Sequence, residues 1–197
     1  VARAGSIQRK TTETSISLDI DLDGSGSADV ATGIPFLDHM LTLFASHGFF
    51  DLRLRAEGDL GVDAHHTVED IGICLGMALQ EALGEKIGIR RYGLGLCPMD
   101  EALAEVAVDI SGRGYLVYRV PVAARRGKVG DFDLELVREF FQAVASRAAL
   151  TLHVNARYGR NSHHIVEAVF KAFGRALDAA TALEPRATGA ISTKGIL

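Results

Sequence analysis

Two pairs of imidazoles, each followed by a carboxylate, carry most of the chemistry this sequence can do. His65, His66 and Glu69 stand in Asp63-Ala-His-His-Thr-Val-Glu-Asp70; His163, His164 and Glu167 stand in Arg160-Asn-Ser-His-His-Ile-Val-Glu167. A constant offset of 98 relates the two sets, and the echo runs on, with Gly76, Ala78 and Leu79 returning as Gly174, Ala176 and Leu177. On a helix the two imidazoles of a pair diverge by about 100°, and the Glu falls about 40° past the first His, between them. Such a cluster can feed two metals, or one metal and a neighbour's site. Imidazole with carboxylate suits Mn, Fe, Zn, Co or Ni, and without thiolate a soft-metal site is disfavoured. One His-His-x-x-Glu could be a polar helix start; two at one offset, in a chain with seven His, point to metal ligands.

The duplication extends the ligand set. Aligning Ala45-Ser46 with Ala145-Ser146 gives an offset of 100, at which His39 meets Glu139. Each half then supplies four ligands: His39, His65, His66 and Glu69 from the first, Glu139, His163, His164 and Glu167 from the second. His47, at a helix end where a cation near the last carbonyls is ordinary, and His153, on a strand, read as structural or as supports to the ligands rather than ligands themselves.

The elements that must hold these residues follow from periodicity. Ser15–Asp21 and Asp51–Ala56 alternate as strands, and Phe36–His47 is an amphipathic helix closed by Gly48. The first cluster opens a helix with Ile71, Cys74, Leu75, Ala78 and Ala82 on its apolar stripe. Arg90–Leu96 reads as a connector. Glu105–Ile110 restarts the programme, with Tyr115–Val120 as its hairpin partner across the turn Ser111–Gly114. Phe132–Ser146 reads as a helix, Leu150–Val154 as a strand, and the second cluster opens the last helix. The expectation is an α+β fold of two tandem two-layer repeats, residues 1–92 and 93–197, with helices on one face of each sheet.

A net charge of −4 gives no electrostatic footing for nucleic acid or an anionic membrane. Cys74 and Cys97 lack metal or redox spacing, and Cys74, on a helix's apolar stripe, reads as a reduced core residue. No apolar signal segment opens the sequence, and no run of 18 apolar residues occurs, so a cytoplasmic protein is expected.

The paired His-His-x-x-Glu motifs occur with Phe36-Leu-Asp-His-Met40, Arg9-Lys-Thr-Thr-Glu-Thr14, Asp109-Ile-Ser-Gly-Arg113 and Ser192-Thr-Lys-Gly195. Together they resemble the imidazoleglycerol-phosphate dehydratases of histidine biosynthesis, across essentially the whole chain. The resemblance implies βαβα repeats like the second domain of ribosomal protein S5. It also implies a 24-subunit homo-oligomer and two Mn²⁺ per subunit in sites shared between subunits. It makes Glu13 the base, with Lys171 beside it as catalytic, and matches Arg91, Arg113, Ser192 and Lys194 to phosphate and polar contacts. Two departures stand out: Thr42-Leu43 replaces an Asp-Gln of some members, and Glu139 replaces a His of some members.

The implied reaction is loss of water from imidazole glycerol phosphate to give imidazole acetol phosphate, a carbon–oxygen lyase reaction. The proton to be removed is not acidic enough for a carboxylate acting alone. Metals on the ring nitrogens would favour a metal-bound imidazolate, whose electrons expel the hydroxyl and render that proton acidic. Two other classes stand beside this: another two-metal enzyme, such as a phosphate-ester hydrolase, and a non-catalytic nucleic-acid-binding module, which the acidic balance disfavours.

Overall fold

The computed structural model describes residues 3–187 and 189–192. The first sheet is built from β1 (Ala4–Lys10), β2 (Thr14–Asp21), β3 (Ala28–Ala31) and β4 (Asp51–Gly58), in the order β1-β2-β4-β3. The second comprises β5 (Tyr92–Met99), β6 (Ala102–Asp109), β7 (Tyr115–Arg119) and β10 (Thr151–Tyr158), in the matching order β5-β6-β10-β7. Helix α1 (Pro35–Gly48) connects β3 to its parallel neighbour β4, and α3 (Glu135–Arg147) connects β7 to its parallel neighbour β10. Each unit closes with a helix that carries a His-His pair at its start, α2 (His65–Leu83) and α4 (Ser162–Thr181). A small hairpin, β8 (Lys128–Val129) and β9 (Phe132–Asp133), precedes α3. Each unit is thus a sheet with two helices on one face, the expected α+β duplication.

Alternation sets which face of each sheet is covered. Ile16, Leu18 and Ile20 of β2 and Val106 and Val108 of β6 are buried under the helices, while the residues between them face outward. The helical layers of the two units then pack on each other, α1 against α4 and α2 against α3. Six fully buried phenylalanines fill the space between, with Phe44 stacked on Phe173 at 5.0 Å and Phe140, Phe141 and Phe170 in mutual contact.

Four expectations are corrected here. Residues 92–99 are a strand rather than a connector, because its inward positions Gly93 and Gly95 lie under α4. A Cβ there would stand 1.8 and 2.0 Å from the carbonyl oxygens of Ala176 and Ala172, so glycine replaces the apolar residues that mark a buried face. Tyr115–Arg119 does not pair with β6: β10 lies between them, and β7 runs parallel to it, Tyr115 opposite Thr151. The Ser111–Gly114 turn therefore carries the chain past one strand position, with Ser111 Oγ bonded to Thr151 Oγ1 at 2.9 Å. Helix α3 begins at Glu135, not Phe132, because Phe132 is taken into the small hairpin and packs on Phe36. Gly48 also serves differently from a closing residue. It is the last helical residue of α1, the left-handed position falls to Phe49 (φ 56°), and a Cβ on Gly48 would meet Phe50 at 2.4 Å.

Candidate active site

Both cluster helices start the same way. Asp63 accepts the N–H of His65 at 2.7 Å, and Asn161 accepts the N–H groups of His163 and His164 at 2.9 and 3.4 Å. A short acceptor two residues ahead of each His pair satisfies free donors of the first turn. Within each pair the rings stand edge to face, with planes 82° apart for His65 and His66 and 78° apart for His163 and His164.

The first His of each pair faces its own Glu. His163 Nε2 is 3.1 Å from Glu167 Oε2, and His65 Nε2 is 3.7 Å from Glu69 Oε2. Because α1 lies on α4, His39 reaches the same oxygen of Glu167, at 3.4 Å. Three donor atoms, one each from His39, His163 and Glu167, lie within 4.8 Å of one another. Bonds of about 2.0–2.2 Å place two donors on one ion roughly 3–4.4 Å apart, so this trio fits a divalent cation of the first transition row. Burial would raise the pKa of Glu167, but the Lys171 ammonium, 2.6 Å from Oε1, together with His39 and His163, lowers it, which keeps the carboxylate ionised.

Glu139 does not join His39. It lies on α3, beside α2, and lines a small cleft with His65, Asp63 and Asp133; its carboxylate is 3.0 Å from Arg138. An adjoining cleft holds His39, His163, Phe36 and Phe132 and shares Asp63, Ala64 and Asp133 with the first. The repeat therefore exchanges partners: each middle helix serves the other unit's cluster.

The second His of each pair turns to a loop carboxylate that the sequence reading missed. His66 Nδ1 is 2.9 Å from Asp59, and His164 Nδ1 is 2.7 Å from Glu101. These bonds raise the pKa of both histidines, while Glu101 is held at about 2 by His164 and the N–H groups of Asn161 and Arg160. Glu13 Oε2 stands 3.8 Å from His66. Its turn is tied down from below: Thr11 Oγ1 accepts the N–H of Glu13 at 3.1 Å, and buried Asp70 takes Thr14 Oγ1 at 2.5 Å and Arg9 at 3.1 Å. His47 sits in the last turn of α1, where burial, with the charges of Lys171 and Arg175, lowers its pKa.

The candidate phosphate contacts gather at the other end of the second sheet. Arg91 Nε meets Asp109 at 2.7 Å, and its Nη1 donates to the carbonyl of Ile191 at 2.6 Å, next to Ser192. Arg113 follows in the Ser111 turn, its N–H donating to Ser111 Oγ at 3.2 Å. Lys194 lies outside the described residues. Arg91 precedes β5 and Glu101 follows it, so the eight residues of that strand separate the two ends by roughly 23 Å.

Comparison with known proteins decides the family. The imidazoleglycerol-phosphate dehydratase family model matches residues 32–177. The imidazoleglycerol-phosphate dehydratases of Syntrophobacter fumaroxidans and Geobacter metallireducens are 60% and 59% identical to this chain. The first alignment covers 99% of this chain and 98% of the relative, and the second covers both in full. The chain belongs to the imidazoleglycerol-phosphate dehydratase family. The crystal structure of the Pyrococcus furiosus family member superposes with a TM-score of 0.84 at 40% identity, over 97% of this chain and 100% of that one. The Staphylococcus aureus enzyme gives 0.82 at 44% identity, over 92% and 99%. The family resemblance and the duplicated α+β fold read from the sequence are thus both borne out, and the chain is a hydro-lyase of histidine biosynthesis. Among the described residues no helix is long and apolar enough to cross a membrane.

Proposed function

We propose that the enzyme dehydrates imidazole glycerol phosphate to imidazole acetol phosphate with two Mn²⁺ per subunit. The observation that carries the metal is the convergence of His39, His163 and Glu167 from two helices of different repeats. His65 faces Glu69 at 3.7 Å and lines the other cleft with Glu139, and we take these three as the counterpart set, to which His66 and His164 add one ring each. When bound, the metals supply Lewis acidity toward the substrate's ring nitrogens.

The chain's own groups divide the remaining work. Glu13, half exposed on a turn that Asp70 anchors, takes the proton from the carbon next to the one that loses its hydroxyl. The carbon–oxygen bond breaks, the hydroxyl and one proton, equivalent to the one Glu13 took, leave as water, and the enol gives up its O–H proton as it takes one on carbon to become the ketone. Lys171 acts through Glu167, whose carboxylate it keeps charged.

The sites are shared between subunits of a homo-oligomer, which we take to be the 24-subunit shell, in the cytoplasm. What supports sharing is distance. Six bonds separate a ring nitrogen from phosphorus in the substrate, a reach of roughly 8 Å. The ligand end and the Arg91–Arg113 end of one chain are roughly 23 Å apart along β5. A second copy must bring its arginines to the first copy's ligands.

The test is an assay of metal-stripped protein for imidazole acetol phosphate, with and without added Mn²⁺. Formation of the ketone only after Mn²⁺ is the expected result. Equal turnover without metal, or release of inorganic phosphate in its place, would overturn the reading.

A further inference from the structure

The two hairpins that precede β2 and β6 repeat at their own offset. Gly5 and Gly93, 88 residues apart, each press on the corresponding helix, where an added Cβ would meet Ala78 O at 2.1 Å and Ala176 O at 1.8 Å. At that offset β2 (Thr14–Asp21) becomes β6 (Ala102–Asp109), and Glu13 becomes Glu101. The two glutamates thus hold one position in two copies of one hairpin. Each stands over the second imidazole of its unit's cluster, His66 or His164.

Their side chains are bound very differently. Glu101 Oε1 accepts the N–H groups of Arg160 and Asn161 at 3.0 and 2.7 Å, and its Oε2 meets His164 Nδ1 at 2.7 Å. Glu13 stops 3.8 Å short of His66 Nδ1, because Asp59 already occupies that nitrogen at 2.9 Å. A carboxylate on Nδ1 selects the tautomer with its proton there and leaves Nε2 as the lone-pair atom. That arrangement orients a ring and raises its basicity as a metal ligand.

We infer that Glu101 and Asp59 are positioning residues that dedicate Nε2 of His164 and His66 to metal, and that Asp59, by taking Glu13's ring, frees Glu13 for proton transfer. The inference rests on the metal-dependent reading above and adds which groups set that site's geometry. The same turn position has therefore diverged: the second unit keeps it as a fixed support, and the first has moved support to the end of β4.

Isosteric amides test this in metal-free protein, with free Mn²⁺ read by electron paramagnetic resonance during titration. In Glu101→Gln the two backbone donors hold the amide oxygen, so the NH₂ group confronts His164 Nδ1 and forces the proton to Nε2. Mn²⁺ affinity should fall about 10–100-fold. Asp59→Asn should lose less, since Asp59 Oδ1 has no hydrogen-bond partner and the amide can turn its oxygen to the ring. Glu13→Gln should titrate like wild type. Wild-type affinity in folded Glu101→Gln would overturn the inference. Neutron diffraction of wild-type crystals gives a second reading that needs no variant: a deuteron on His164 Nδ1 is expected, and one on Nε2 alone overturns it. A wild-type protein that binds no Mn²⁺ would instead sink the metal reading and this inference with it.

Discussion

His39 lies 3.4 Å from Glu167, although the two belong to different copies of the internal repeat. The contact exists because α1 crosses α4 at two glycines. A Cβ on Gly174 would stand 2.4 Å from Phe44 O, and one on Gly48 would stand 3.0 Å from Gly174 O. Ligand geometry at one end of the molecule thus depends on backbone contact between helices in its middle.

Gly174→Ala should separate those helices and move His39 off Glu167. Overpacking of this kind costs about 1–3 kcal/mol. Thermal melting and Mn²⁺ titration should both register the change, and a variant that melts and binds like wild type would contradict the link.

Elemental analysis after Mn²⁺ reconstitution should find close to two ions per chain. His39→Ala combined with Glu139→Ala should reduce both occupancies, because each residue serves a different cleft. A single tight ion indifferent to the pair would remove both from the ligand set.

Glu13→Gln should lower turnover by about 10²–10⁴-fold while Mn²⁺ binding holds, as expected for a lost general base. Glu69→Gln should do the reverse and weaken binding first. Near-normal turnover by Glu13→Gln would place the base elsewhere.

The pH dependence has opposite signs with and without metal. Asp59 and Glu101 raise the pKa of His66 and His164, so in metal-free protein these pairs stabilise fully below about pH 6.5 and lose that effect as pH rises through the raised values. Glu101, held at about 2, and Glu167, also lowered, contribute above about pH 4.5 and lose it on acidification. Metal-free protein should therefore melt highest between those limits. Mn²⁺ needs the neutral rings, so its affinity should begin falling on acidification above about pH 6.5. Melting curves and Mn²⁺ titrations from pH 4 to 8 would show whether the trends diverge.

The clusters were legible because duplication printed them twice at one spacing, and helical geometry fixed how the rings diverge. Asp59 and Glu101 were not: they lie in turns outside the motif, and the hairpins repeat at 88 while the cluster helices repeat at 98. Strand β5 hid behind Gly93 and Gly95, since contact with α4 removes the side chains that periodicity needs. The partner exchange was equally silent. Offsets say that His39 and Glu139 are equivalent, but not which helix each will touch.

The length of β5 has a genetic consequence. A chain whose arginine end is disabled, as in Arg113→Ala, keeps an intact ligand end, and a Glu13→Gln chain keeps intact arginines roughly 23 Å away. Each alone should be strongly impaired if the sites are shared between subunits. Co-assembled, the two should regain activity, because some interfaces pair the sound end of one with the sound end of the other. A population of two dead alleles would then support growth without histidine, whereas sites confined to single chains would leave the mixture as inert as its parts.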